Sequence, residues 1–142
     1  MIFAILSLLG CKKVVTPVTD TVKPAITIVS PSPGQTFSAG STIAFQATFS
    51  DNINLKSYEI GVSQKIAGGL ILKIIPTSVP FSYTKSTTAF DAGLKQQEIR
   101  HDINIPANST TTNTAPGIYN FRVTFSDSSD NVTSITVEIN IK

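Results

Sequence analysis

The strongest constraint on this chain is an alternation of apolar and polar residues with a period of two. Residues 118–126 put Tyr119, Phe121, Val123 and Phe125 on one face, and residues 42–50 do the same with Ile43, Phe45, Ala47 and Phe49. Successive side chains of a β-strand point to opposite faces, so runs of this kind predict strands with one buried face rather than helices. The pattern recurs at residues 25–29, at 56–63 with Tyr58, Ile60 and Val62 inward, and at 98–105 with Ile99, Ile103 and Ile105 inward. It closes the chain at 132–141 with Ile135, Val137, Ile139 and Ile141. An apolar run at 70–75 opens after Gly68-Gly69 and stops at Pro76, while Phe81-Ser82-Tyr83 supplies a shorter strand candidate in the less legible stretch 77–97.

Turn chemistry separates the runs. Pro31-Ser32-Pro33-Gly34, Asp51-Asn52-Ile53-Asn54, Asp91-Ala92-Gly93 and the Ser/Thr-rich residues 108–113 all favour chain reversal. About seven or eight short strands in one domain predict an all-β, two-sheet antiparallel sandwich of the Ig-like kind, with a closed barrel as its competitor. A hydrophobic fraction of 41% can fill such a core, and 14% charged residues argue against a disordered chain. The net charge of +2 is spread without a basic stripe, which excludes nucleic acid as the expected partner.

The first ten residues are apolar but too few to span a bilayer, and they match the core of a secretory signal. They end in Leu8-Leu9-Gly10-Cys11, which resembles the lipobox of bacterial lipoprotein signal peptides. The resemblance implies cleavage between Gly10 and Cys11, acylation of Cys11, and a lipid-anchored place in the cell envelope, with the outer membrane expected because no acidic residue follows Cys11. Such signals begin with a positive segment, and no Lys or Arg precedes Cys11, so translation is expected to start upstream of Met1. Residues 11–24 then carry the anchor and an extended, hydrated spacer with two prolines. The predicted organisation is signal peptide 1–10, lipidated cysteine and linker 11–24, and sandwich 25–142.

Within the sandwich, Pro24, Ile26, Ile28, Pro31 and Gly34, then Asp51-Asn52 with Leu55, Gly117 with Tyr119, and Asp127 with Asn131 resemble the small Ig-like lipoprotein domains of Gram-negative bacteria. Pro116-Gly117-Ile118-Tyr119 is similar to a tyrosine corner. Such relatives often carry a histidine-rich stretch after the third strand. Residues 63–72 hold no histidine here, and no role tied to one is carried over.

Catalysis has little to draw on. The one histidine, His101, falls on the inward register with Ile99 and Ile103, so its neighbour Asp102 faces the other way and the two form no acid–base pair. One cysteine and one histidine fall short of a zinc ligand set. No enzyme and no resident cofactor are expected. The repeated Thr-Phe-Ser-Asp at 48–51 and 124–127 gathers Asp51, Asn52, Asp127, Asp130 and Asn131 in two loops expected at one end of the sandwich. Two readings stand for them: calcium ligands, because the ion takes carboxylate and amide oxygens, or turn residues that bond their own backbone. With no Trp in the chain and Tyr58 and Tyr119 inward, Tyr83 is the one ring offered for stacking on a sugar. The expected function is a non-enzymatic binding, adhesion or structural module tied to the membrane through Cys11. The alternative is an accessory lipoprotein that captures glycan or peptide for an envelope uptake system.

Overall fold

The computed structural model describes residues 19–65, 78–87 and 90–142. The signal residues, Cys11 and the apolar run 70–75 lie outside them. Among the described residues there are ten strands and no helix, hence none long and apolar enough to cross a membrane. In chain order the strands are β1 (Ala25–Ser30), β2 (Thr36–Phe37), β3 (Thr42–Ser50), β4 (Leu55–Gln64) and β5 (Ser78–Val79). β6 (Ser82–Thr87), β7 (Gln96–Asn104), β8 (Asn113–Thr114), β9 (Gly117–Asp127) and β10 (Val132–Ile141) follow.

Seven of these are long, and with the two-residue β2 they form two sheets ordered β1-β3-β7 and β2-β10-β9-β4-β6. This is an open sandwich rather than a closed barrel. The long strands pair antiparallel, as expected, but two two-residue pairings are parallel: β2 on β10 and β5 on β8. β3 and β10 run over the residues that the alternation marks, and β9 extends that stretch by one residue at each end, to Gly117 and Asp127. β6 begins at Ser82 and leaves the buried Phe81 just ahead of it.

The core is the inward register of the two sheets pressed together. Ile43, Phe45, Ala47 and Phe49 of β3 meet Tyr119, Phe121, Val123 and Phe125 of β9, all at most 1% exposed. Ring centroids lie 5.4 Å apart for Phe45 and Phe121 and 4.9 Å apart for Phe49 and Phe125. Each buried phenyl contributes roughly 1.5–3 kcal/mol by leaving water, so these four rings dominate the cohesion between the sheets.

The tyrosine corner is formed. Tyr119 is fully buried, its hydroxyl donates to the carbonyl of Ala115 at 2.6 Å, and the same oxygen accepts the N–H of Phe81 at 3.2 Å. One hydroxyl thereby satisfies two backbone groups from separate segments.

Candidate functional site

Both Thr-Phe-Ser-Asp segments run along their strands with the phenylalanine inward. The aspartate two residues later keeps that register. Asp51 follows β3 and Asp127 ends β9, so the Phe49–Phe125 contact brings two carboxylates to the same rim of the core. Residues 51–54 and 128–131 turn the chain at this end, and Ser128 N–H donates to the carbonyl of Asn54 at 3.1 Å to tie the two turns together. β1 also starts here, opposite the end of β3, with Ala25 paired to Ser50.

The linker joins them. Asp20 was expected in a hydrated spacer, but Asn131 Nδ2 donates to its carbonyl at 3.1 Å and Asn52 Nδ2 to its Oδ1 at 3.1 Å. Thr133 Oγ1 donates to the carbonyl of Pro24 at 2.5 Å. Asp20 and Pro24 are therefore held on the rim, while Thr21, Val22 and Lys23 between them stay exposed. The physical reason is a row of amide and hydroxyl donors facing the incoming backbone.

One carboxylate oxygen from each of Asp20, Asp51 and Asp127 lies within 4.8 Å of the other two. Asp127 is 0% exposed. In each side chain the other contacts fix the orientation. Asp51 Oδ2 accepts the N–H groups of Ile53 and Asn54, each at 2.8 Å. Asp20 Oδ1 accepts from Val22 N–H at 3.0 Å as well as from Asn52. Asp127 Oδ1 accepts from the N–H groups of Ser129 and Asn131, and its Oδ2 from Asn131 Nδ2. The opposite oxygens of Asp20 (Oδ2) and Asp51 (Oδ1) are buried without a hydrogen-bond partner, as is Oδ1 of Asn54. Among the described residues these three are the only such side-chain atoms.

No Lys, Arg or His among the described residues pairs with these carboxylates; the ion pairs are Lys56–Asp130, Lys65–Glu138 and Arg100–Glu98. Two like charges at this separation repel by about 3 kcal/mol at an effective dielectric near 20. The arrangement is therefore costly as it stands, and oxygen-only chemistry of this type suits a hard divalent cation.

Of the five residues that the sequence offers to a metal, the structure brings Asp51 and Asp127 together, and the other three stand around them in different ways. Asn52 and Asn131 turn their amide nitrogens to Asp20 and Asp127, so they hold the carboxylates as donors. Asp130 is exposed, sits at a φ of 66° in the turn and pairs with Lys56. Asp20 was missed, and no local signal marks it, because its partners are 32 and 111 residues away.

His101 and Tyr83 lie elsewhere, at the open side between edge strands β6 and β7. Tyr83 is half-buried against the core, its hydroxyl hydrogen-bonded to Nε2 of His101 and its ring centroid 5.9 Å from the imidazole. Lys85 Nζ lies 3.3 Å from Nδ1. An ammonium can only donate, so Nδ1 accepts and the neutral ring carries its proton on Nε2, donating to Tyr83. Burial, then the Lys85 charge, pushes His101 below the ordinary histidine range, with Asp102 pulling weakly the other way. The Tyr83 hydroxyl is pushed up, by burial first and Tyr58 second. An inward lysine and histidine blunt an open sheet edge. At the end opposite the carboxylates, Val79, Phe81, Pro106 and Thr114 help line a shallow depression of about 360 Å³ without an ionisable side chain.

No curated protein matches the chain. Among solved structures it is similar to the fibronectin(III)-like modules of Clostridium thermocellum CbhA, at 21% identity and a TM-score of 0.45 over 83% of this chain and 96% of that one. It also aligns with β-glucosidase from Listeria innocua (14% identity, TM-score 0.44), covering 82% of this chain but only 16% of the enzyme. A third match is the sporulation control protein Spo0M from Bacillus subtilis, at 9% identity and a TM-score of 0.41 over 84% of this chain and 49% of that one. The family match is broader in sequence, running over residues 10–142. The chain belongs to the family described as a domain of unknown function, DUF4625.

Proposed function

We propose that this protein is a lipid-anchored, non-enzymatic module of the bacterial cell envelope whose Ig-like domain serves as a binding or structural unit. The observation that carries the anchoring is Leu8-Leu9-Gly10-Cys11, an apolar run closed by a small residue and the chain's only cysteine. Two or three acyl chains on Cys11 would bury many methylenes at about 0.8 kcal/mol each, enough for stable attachment. The family match takes in Cys11 and the linker together with the sandwich, which supports reading them as one unit.

The linker meets the sandwich at the carboxylate rim. Anchoring at Cys11 then turns the opposite end, with β5, β8 and the loop at 106–112, away from the membrane and toward a partner. The test is palmitate labelling of the protein expressed with its native start, with and without globomycin. Label on the wild type that is lost in Cys11→Ser, together with a precursor that accumulates under globomycin, is the expected result. Label that persists in Cys11→Ser overturns the anchor.

A further inference from the structure

We propose that Asp20, Asp51 and Asp127 form a calcium site that clamps the linker to the rim of the sandwich. The three carboxylates come from three separate stretches: the linker, the turn after β3 and the end of β9. Each has part of its oxygen capacity taken by N–H donors that set its direction, and each keeps capacity free. Asp20 Oδ2 and Asp51 Oδ1 are buried and accept nothing, and Asp127, fully buried, has accepted one bond at Oδ2 where two lone pairs exist. A buried carboxylate oxygen without a partner is costly in a folded chain, and here two residues that each carry one gather with a third acid, none of the three in an ion pair among the described residues. The orphaned Oδ1 of Asn54, from the same turn as Asp51, supplies a neutral oxygen of the kind that completes such shells.

Calcium is the ion these ligands fit. It binds oxygen at about 2.3–2.6 Å, so two oxygens on one ion stand at most roughly 5 Å apart, and the observed spread of 4.8 Å lies inside that span. Three carboxylates against a divalent ion leave a net charge near −1, and water or carbonyl oxygens fill the remaining positions of a six- to eightfold shell. Among the described residues no thiolate or imidazole belongs to the cluster to favour zinc. Because Asp20 belongs to the linker, binding couples the ion to the angle at which the chain leaves the domain. The site stands whether or not Cys11 is acylated.

The experiment uses the full chain, stripped with EGTA and then supplied with about 5 mM calcium chloride. With the affinity of an extracellular module, a Kd of roughly 0.1–1 mM, melting should rise by about 4–9 °C. Asp20→Asn removes the ligand charge on the linker, outside the sandwich core. It should lose this rise and, without calcium, melt no lower than the wild type, because one repelling charge is gone. A merely structural role for Asp20 would lower melting equally with and without the ion. Hydrogen exchange at the Val22 amide, bonded to Asp20, should slow in calcium in the wild type, a readout that needs no variant. The proposal is overturned if calcium leaves wild-type melting unchanged. It is equally overturned if Asp20→Asn keeps the full rise, or if magnesium at the same concentration gives the same rise.

Discussion

Replacing Tyr119 by Phe isolates one oxygen in the middle of the fold. The ring and its packing against Phe81, 6.4 Å away by centroid, are retained, so the change is confined to the hydroxyl. That hydroxyl donates to the Ala115 carbonyl and accepts from the Phe81 amide, and both residues are nearly buried at 8% and 7% exposure. Each hydrogen bond contributes about 1 kcal/mol net, and a buried partner left unsatisfied adds to the cost. The expected loss is about 2–4 kcal/mol. With an unfolding entropy near 2.1 cal/mol/K per residue, a domain of roughly 120 residues loses about 4 °C per kcal/mol, so Tyr119→Phe should melt about 8–16 °C lower. Urea unfolding should show the same loss as a shift in midpoint with an unchanged slope, since the surface exposed on unfolding is the same. Burial holds the phenol above its ordinary range, with the Phe81 amide pulling weakly the other way, so the hydroxyl stays protonated through neutral pH and the comparison needs no correction for titration. A loss below about 0.5 kcal/mol would refute the reasoning, because it would mean that water or local movement satisfies both backbone groups.

Other substitutions probe the remaining parts. Phe125→Ala removes a ring that touches both Phe49 and Phe90 and should cost about 3–5 kcal/mol by chemical denaturation, the range for a large buried aromatic. His101 is held neutral in the fold and charges more readily when unfolded. The unfolded state therefore takes up more protons as pH falls below the ordinary histidine range, and the stability His101 contributes is present above that range and lost on acidification. Stability curves measured against pH should show this slope in the wild type and a weaker one in His101→Gln. Lys85→Met removes a cation beside Nδ1 and should move the imidazole titration upward by NMR; a downward move would contradict the geometry. Asp130→Asn removes only the charge of an exposed ion pair with Lys56, keeps a side chain that tolerates the φ of 66°, and should change stability by less than about 1 kcal/mol.

The parts of the fold that the sequence makes legible are those where one strand face is buried along its whole length. β3, β9 and β10 declare themselves because each has four successive inward positions that are all apolar. β2, β5 and β8 have two residues each, too few to show a period, and their existence depends on partners far along the chain. β6 hides for a different reason. Its inward residues are Tyr83, Lys85 and Thr87, half-buried at a sheet edge where a lysine is useful, so the apolar alternation that identifies a strand is missing. The carboxylate rim is legible in half. Counting by twos from Phe49 and Phe125 already turns Asp51 and Asp127 toward the core, whereas Asp20 precedes the first strand and reaches the rim only through tertiary contacts.

The two ends of the sandwich handle buried polarity in opposite ways, and this asymmetry separates fold from site. At the Tyr119 end, one hydroxyl closes the accounts of two backbone groups from different segments, and nothing from outside is needed. At the Asp127 end, the same kind of convergence of separate segments leaves three oxygen atoms without partners. Satisfying them internally would have taken a single lysine or arginine on the rim. Lys56, the cation placed nearby by β4, instead turns outward to Asp130. A fold that supplies donors for one oxygen of Asp20 and of Asp51 and withholds them from the other has fixed the carboxylates in direction without neutralising them. That combination is the ground on which the proposed cation site is set apart from a group of turn-forming aspartates.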